Sequence, residues 1–139
     1  MKVQTDYDAL VIGAGFSGIA TLHFFREAGF KTIVVDKEAE VGGTWWVNNY
    51  PGVRTDSEYS YYSFSFSKEV REEFDWSETY PTGKEVLAYL KFVVDRLDLR
   101  KDIQLNTAVL KSVYNEADKV WEVALSDGRT VRVKYLVSA

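Results

Sequence analysis

Apolar and polar residues follow two rhythms along this chain. Tyr7 to Ile12 and Lys31 to Asp36 each carry a nearly unbroken apolar run, with Ala9 to Ile12 and Thr32 to Val35 at their centres. Runs without alternation suit strands covered on both faces, as in a parallel sheet. Between them, Phe16 to Glu27 places Ile19, Ala20, Leu22 and Phe24 at helical positions, and Gly29 suits the cap that ends the helix. Strand, helix and strand predict a right-handed parallel unit. Further on, Thr82-Gly-Lys-Glu85 has the form of a capping box. Val86, Leu87, Leu90, Val93, Val94 and Leu97 follow at helical spacing, so Gly83 to Leu97 is predicted as an amphipathic helix.

The last third changes rhythm again. Ile103 to Leu105 reads as a short strand. Ala108 to Tyr114, Val120 to Leu125 and Thr130 to Val137 read as a three-stranded meander, rich in valine and aromatic residues. Asp127-Gly128 is a strong hairpin signal between the last two. The fold class is α/β: a Rossmann-like parallel β-α-β sheet with a three-stranded β-meander. The middle of the chain is less regular. Val41 to Asp56 holds Gly42, Gly43, Pro51 and Gly52, and long loops of this kind tend to carry function. Ser57 to Ser67 alternates serine with Tyr and Phe. That pattern suits either an edge strand with one aromatic face or an irregular coil packed over a ligand. Lys68 to Glu73 reads as a charged, solvated face, and Asp75 to Pro81 as a loop.

Composition narrows the function classes. The 139 residues are 46% hydrophobic and 27% charged, which fits one globular domain with a core. The net charge of −4, without a basic run, argues against a nucleic-acid surface. No cysteine is present, which excludes disulfides, thiolate metal sites and a cysteine nucleophile, and fits a reducing, cytoplasmic setting. Met1 to Asp8 lacks the apolar centre of a signal peptide, and no apolar stretch is long enough to span a bilayer. The single histidine, His23, falls in mid-helix with no carboxylate or hydroxyl partner nearby in sequence, so it reads as a packed or surface residue.

The strongest chemical signal is the junction between the first strand and helix, Gly13-x-Gly15-x-x-Gly18. In this pattern the first glycine permits the tight turn and the second lets the backbone approach a pyrophosphate. The third lets helix and strand pack closely, while the helix N-terminus faces the anion. The second apolar run ends in Asp36, near where an acid binds a ribose hydroxyl pair. A carboxylate there repels a 2′-phosphate, so FAD or NAD is expected at this turn rather than NADP. Gly42-Gly43 can bring backbone N–H groups to a ligand, Thr44 adds a hydroxyl, and Trp45 or Trp46 can wall a planar ring.

These features together resemble the N-terminal part of flavin-dependent Baeyer–Villiger monooxygenases, sister enzymes of the flavin-containing and N-hydroxylating monooxygenases. The run from Gly42-Gly43-Thr44-Trp45 to Asn48-x-Tyr50-Pro51-Gly52-x-x-x-Asp56 is its most specific part. The likeness extends from about Tyr7 to Ala139. It implies FAD held at Gly13, Gly15, Phe16, Ser17 and Gly18, with Asp36 on the adenosine ribose and Lys37 beside it. It also implies Gly43, Thr44 and Trp45 along the flavin side, Asp56 and Tyr62 near the isoalloxazine, and Val109 at the adenine end through its backbone. Arg54, Thr55 and Asp56 would border the nicotinamide of NADPH. Asp56 would be the active-site acid that positions an arginine. The implied activity is NADPH- and O₂-dependent insertion of oxygen beside a ketone carbonyl through a flavin peroxide, giving an ester or lactone. The alternatives are a flavin monooxygenase that oxidises nitrogen or sulfur, or a truncated nucleotide-binding module without turnover. Two positions depart from the family pattern: Asp36, where glutamate is commoner, and Asn49, where arginine is common. The family's NADPH domain, fingerprint and catalytic arginine have no counterpart here. The chain stops inside an apolar strand at Ala139, so residues 1–139 are expected to be an incomplete N-terminal segment of an FAD-binding domain. The sequence assigns no oligomeric state.

Overall fold

The computed structural model describes residues 3–139. The first apolar run forms β1 (Tyr7–Ile12) and the second forms β2 (Thr32–Val35), joined by helix α1 (Phe16–Glu27). The two strands pair in parallel, from Ala9 with Thr32 to Ile12 with Val35. All of β2 is buried, which is the physical reason its sequence does not alternate. It coincides with the apolar run Thr32 to Val35 and is one residue shorter at each end than the expected strand, Lys31 to Asp36. At its end the Asp36 side chain accepts from Ala14 N–H of the glycine turn, while its backbone N–H still donates to Gln104 O of the neighbouring strand.

β3 (Ile103–Gln104) adds in parallel outside β2. β6 (Thr130–Ser138) adds in parallel on the other side of β1, from Tyr7 with Val133 to Ile12 with Ser138. The beginning of β6 pairs antiparallel with β5 (Val120–Leu125), which pairs antiparallel with β4 (Val109–Asn115). The sheet order is β3-β2-β1-β6-β5-β4. The meander is therefore as expected, but its last strand continues into the parallel sheet and joins the two halves of the fold.

Side-chain alternation divides the core in two. Val11 and Val34 point to one face, where they meet Ile19 and Leu22 of α1 and Leu90, Val93 and Val94 of helix α4 (Gly83–Arg96). Leu10, Ile33 and Val35 point to the other face and pack with Val123, Leu125, Val131 and Val133 of the meander. Helices cover one face and the meander the other. The first turn of α4 is capped by Thr82, whose Oγ1 accepts from Glu85 N–H at 3.3 Å. The Glu85 carboxylate does not close the expected box. It accepts from Ser77 N–H at 2.6 Å instead, pinning the preceding loop.

The middle region differs most from the sequence reading. A four-residue helix, α2 (Thr44–Val47), interrupts the expected irregular segment. Ser57 to Ser67 forms no strand. It is a coil with a 3₁₀ turn at Tyr59–Tyr61, so the coil alternative is the one observed. Its alternation arises because Phe64 and Phe66 turn inward against Phe16 and His23. The expected solvated face at Lys68 to Glu73 is a short helix, α3 (Lys68–Glu72), anchored by a fully buried Val70. His23 stacks on Phe66 at 4.2 Å, in the packing role expected of it.

Tyr89 of α4 is fully buried, and its hydroxyl accepts from Phe64 N–H at 2.8 Å. Burial pushes its ionisation up to about 12, against the opposing effect of that hydrogen bond. Because the folded value lies above the unfolded one, the Tyr89 contribution to stability is full below about pH 10. It is lost as pH rises through about 12. Tyr89→Phe is expected to remove this alkaline step and to cost about 1–2 kcal/mol by stranding the Phe64 N–H. Ultraviolet titration of tyrosinate together with denaturant melts checks both.

Candidate nucleotide site

The C-terminal ends of β1 and β2 carry the site, as expected for a parallel sheet of this type. Gly13 N–H donates to Val35 O at 2.8 Å, which ties the turn to the second strand. Gly13 has φ +107°, a conformation open to glycine, and a methyl there would sit 2.7 Å from Ala139 O. Gly18 is fixed by space rather than by φ. A methyl on it would lie 1.8 Å from the Gly13 carbonyl oxygen. It is the close contact that lets α1 rest on β1.

α1 starts at Gly15 with no side-chain cap and no acid in its first turn. Its first N–H groups lack intrahelical acceptors, and the positive end of the helix is uncompensated. Beside it lies a cavity of about 470 Å³, within the range of ligand pockets. Gly13, Gly15, Phe16 and Ser17 form one side. Asp36, Lys37 and Glu38 form the second, and Gly43, Thr44 and Val47 the third. The far wall is Thr107, Ala108 and Val109.

Asp36 is the hub of this arrangement and is buried. Its Oδ2 accepts from Ala14 N–H at 2.7 Å and its Oδ1 from Glu38 N–H at 2.9 Å. Its backbone N–H donates to Gln104 O and its carbonyl accepts from Thr107 N–H. One residue thus fastens the glycine turn, the end of β2 and the far wall. Asp36 lines the cavity, and each carboxylate oxygen retains acceptor capacity beyond the one bond it accepts.

The Gly42-Gly43 loop is held by charge. Glu40 Oε1 accepts from Arg100 Nη1 and from Val41 N–H, each at 2.9 Å, and Glu40 Oε2 lies 3.4 Å from Lys91 Nζ. Burial works against this charge. The donors and the two cations outweigh burial and hold the Glu40 carboxyl below the usual glutamate range. Gly42 N–H then donates to Ala14 O at 2.9 Å, closing the loop onto the glycine turn.

The structure gathers Gly13, Gly15, Phe16, Ser17, Asp36, Lys37, Gly43, Thr44 and Val109 around one cavity. The other candidates lie outside its lining. Gly18 is buried beneath the turn. Trp45 packs edge-on to Tyr62 at 5.5 Å, and Tyr62 packs on Phe16 at 5.9 Å, so both support the start of α1 from behind. Arg54 pairs with Glu78 at 3.0 Å. Thr55 is buried and donates to Ser57 O at 2.8 Å. Asp56 is exposed. Sequence reasoning missed Glu38, Val47, Thr107 and Ala108. Glu38 follows Asp36 out of β2 and Val47 comes with α2, while Thr107 and Ala108 reach the cavity because the loop between β3 and β4 folds back over Asp36, which no local pattern announces. Among the described residues, no cluster of His, Cys, Asp and Glu suits a metal ion, and no helix is long and apolar enough to cross a membrane.

The family described as NAD(P)-binding Rossmann-like domain matches residues 11–75. Phenazine N-monooxygenase PhzNO1 of Lysobacter antibioticus is 46% identical over 98% of this chain and 25% of its own length. A Baeyer–Villiger monooxygenase of Pseudooceanicola batsensis is 43% identical over 98% of this chain and 25% of its own. The solved OTEMO complex with FAD and NADP superposes with a TM-score of 0.92 at 37% identity, over 99% of this chain and 26% of that one. The chain spans about a quarter of the length of the relatives it matches. With its glycine turn and the acid at the end of β2, the chain has a Rossmann-like fold and is similar, over about a quarter of their length, to Baeyer–Villiger and related flavin monooxygenases.

Proposed function

We propose that residues 1–139 bind FAD as a segment of the FAD-binding domain of an NADPH- and O₂-dependent, cytoplasmic monooxygenase that converts a ketone to an ester or lactone. The observation that carries this reading is the cavity where the uncapped start of α1, the Asp36 carboxylate and the Thr107–Val109 wall meet. The residues present suit the group: glycines where a side chain would collide, donors for a diphosphate, and acceptors for a ribose. The OTEMO relative, solved with FAD and NADP, supports the cofactor pair.

In this reading the N–H groups at Gly15, Phe16 and Ser17 receive the diphosphate, with Gly13 shaping the turn beneath it and Gly18 keeping the helix close enough to reach it. Asp36 takes the ribose hydroxyls with the lone pairs left by Ala14 and Glu38, and Lys37 flanks it. Val109 meets the adenine through its backbone. Gly43 and Thr44 border the diphosphate on the flavin side, backed by Trp45 and Tyr62. FAD supplies the redox chemistry when bound, and the protein supplies orientation and a dry setting. Arg54 and Thr55 border the nicotinamide of NADPH. The exposed Asp56 carboxylate is the proposed active-site acid. It orients a cation that stabilises developing negative charge, rather than acting as a nucleophile.

A second reading, oxidation of a ring nitrogen, is favoured by the 46% identity to phenazine N-monooxygenase. A product assay on the protein carrying this segment separates the two. With NADPH and O₂, a cyclic ketone offered beside a phenazine is expected to yield lactone. N-oxide alone would move the assignment to nitrogen oxidation, and no NADPH-dependent product from either would contradict both. Asp56→Ala in that protein is expected to slow oxygenation by about 100-fold or more while FAD remains bound. Unchanged lactone formation would remove Asp56 from the active site.

A further inference from the structure

The Asp127-Gly128 turn sits at the tip of the meander and does not line the cavity, yet it is bonded to the Thr107–Val109 wall of it. Arg129 Nη2 donates to Gln104 Oε1 at 2.5 Å. Gln104 Nε2 donates to Asp127 Oδ2 and to Thr107 Oγ1, each at 2.9 Å. Arg129 closes the turn on itself, donating from Nη2 to Asp127 Oδ2 at 2.7 Å and from its backbone N–H to Asp127 Oδ1 at 3.0 Å. The Arg129 side chain and backbone N–H together hold the Asp127 carboxyl down to about 2, so the pair stays ionised at any working pH. Ser126, just before Asp127 in the turn, brackets Ala108: Ala108 N–H donates to Ser126 Oγ at 2.9 Å, and Ser126 N–H donates to Ala108 O at 2.8 Å.

The opposite edge of the same loop hangs from the ribose side of the site. Asn106 N–H donates to Glu38 O and Thr107 N–H to Asp36 O, each at 2.8 Å. The wall is therefore strung between two anchors, the Asp36 segment and the hairpin tip. It offers a flat ligand only backbone and small side chains, so its shape and distance do the recognising.

We propose that the Asp127–Arg129 turn, acting through Gln104 and Ser126, is a positioning unit that sets the Thr107–Val109 wall and with it the affinity for an adenosine diphosphate group. The proposal rests on the nucleotide reading above. It gives the meander a part in binding besides closing the core.

The test uses ADP as probe, by calorimetry, with the wild type, Gln104→Leu, Arg129→Ala and Arg129→Lys. Amide hydrogen exchange at Ala108 is followed in the nucleotide-free proteins. Gln104→Leu and Arg129→Ala are each expected to weaken ADP binding by roughly threefold to tenfold and to speed Ala108 exchange. Thermal midpoints should move little, because Arg129 is exposed and Gln104 is only half-buried. Arg129→Lys keeps the charge beside Asp127 and is expected to recover part of the affinity. Unchanged ADP affinity in Gln104→Leu and Arg129→Ala would overturn the proposal. So would a loss that only tracks a fall in thermal midpoint. A wild type that binds no ADP fails the nucleotide reading itself. In that case unchanged Ala108 exchange in the variants overturns the positioning claim on its own.

Discussion

Gly18→Ala is expected to lower the thermal midpoint by about 10 °C and to abolish nucleotide binding. The added methyl would lie 1.8 Å from the Gly13 carbonyl oxygen, a backbone atom with no rotamer by which to escape. The helix cannot slide away cheaply, because Ile19 and Leu22 are fully buried against the sheet. Overpacking of this severity costs on the order of 3 kcal/mol, and relief must come from lifting α1 off β1. That movement carries away the N–H groups that face the cavity, so binding falls with stability. Ser17→Ala, one residue earlier and exposed, is the control, expected within about 0.5 kcal/mol of wild type. Differential scanning calorimetry with and without FAD reads both effects. A Gly18→Ala protein with an unchanged midpoint would mean that the close contact is not a constraint.

Asp36→Ala is expected to weaken FAD binding by about 100-fold or more and to destabilise the free protein by about 2–3 kcal/mol. The two effects have separate origins. The stability loss comes from the Ala14 and Glu38 N–H groups, which now donate to the carboxylate at 2.7 and 2.9 Å and would lose their acceptor. The Ala14 bond is buried, so water cannot take over in place. The affinity loss adds the ribose contacts, made with a charged acceptor and therefore stronger than neutral ones. Asp36→Asn tests the division. Its amide oxygen can still accept one N–H, but its NH₂ opposes the other, so it should recover part of the stability and little of the affinity. Urea melts and calorimetry on the same samples check this. Equal losses in both quantities across the two variants would contradict the hub role.

Much of this could be read from residue pattern, and the reason is physical. β1, α1 and β2 were legible because burial on both faces writes a continuous apolar run, and a phosphate turn demands glycine at set intervals. β5 and the Asp127-Gly128 turn were legible because hairpins are local. The second role of β6 was not, because pairing with β1 depends on a partner more than a hundred residues away in sequence. α2 and α3 were not, because a helix of one turn leaves too few positions for a period to show. Within the site, Gly13, Gly15 and Asp36 followed from spacing. Thr107 and Ala108 had no such signal, since small residues in a loop acquire meaning only when topology sets them against Asp36. Glu85 shows the limit of a motif: the spacing of a capping box was present, but Ser77 N–H competed for the carboxylate and won it.

The central claim is that one dinucleotide lies over the first turn with its ribose at Asp36. Titrating the ¹⁵N-labelled chain with FAD and following backbone amides tests it most directly. The account predicts saturable binding of one FAD per chain, with the largest shifts at Gly13, Ala14, Gly15, Ser17 and Val109 and little change at the far ends of β4 and β5. No saturable shift, or shifts centred on the exposed face of the meander and absent from the glycine turn, would contradict it.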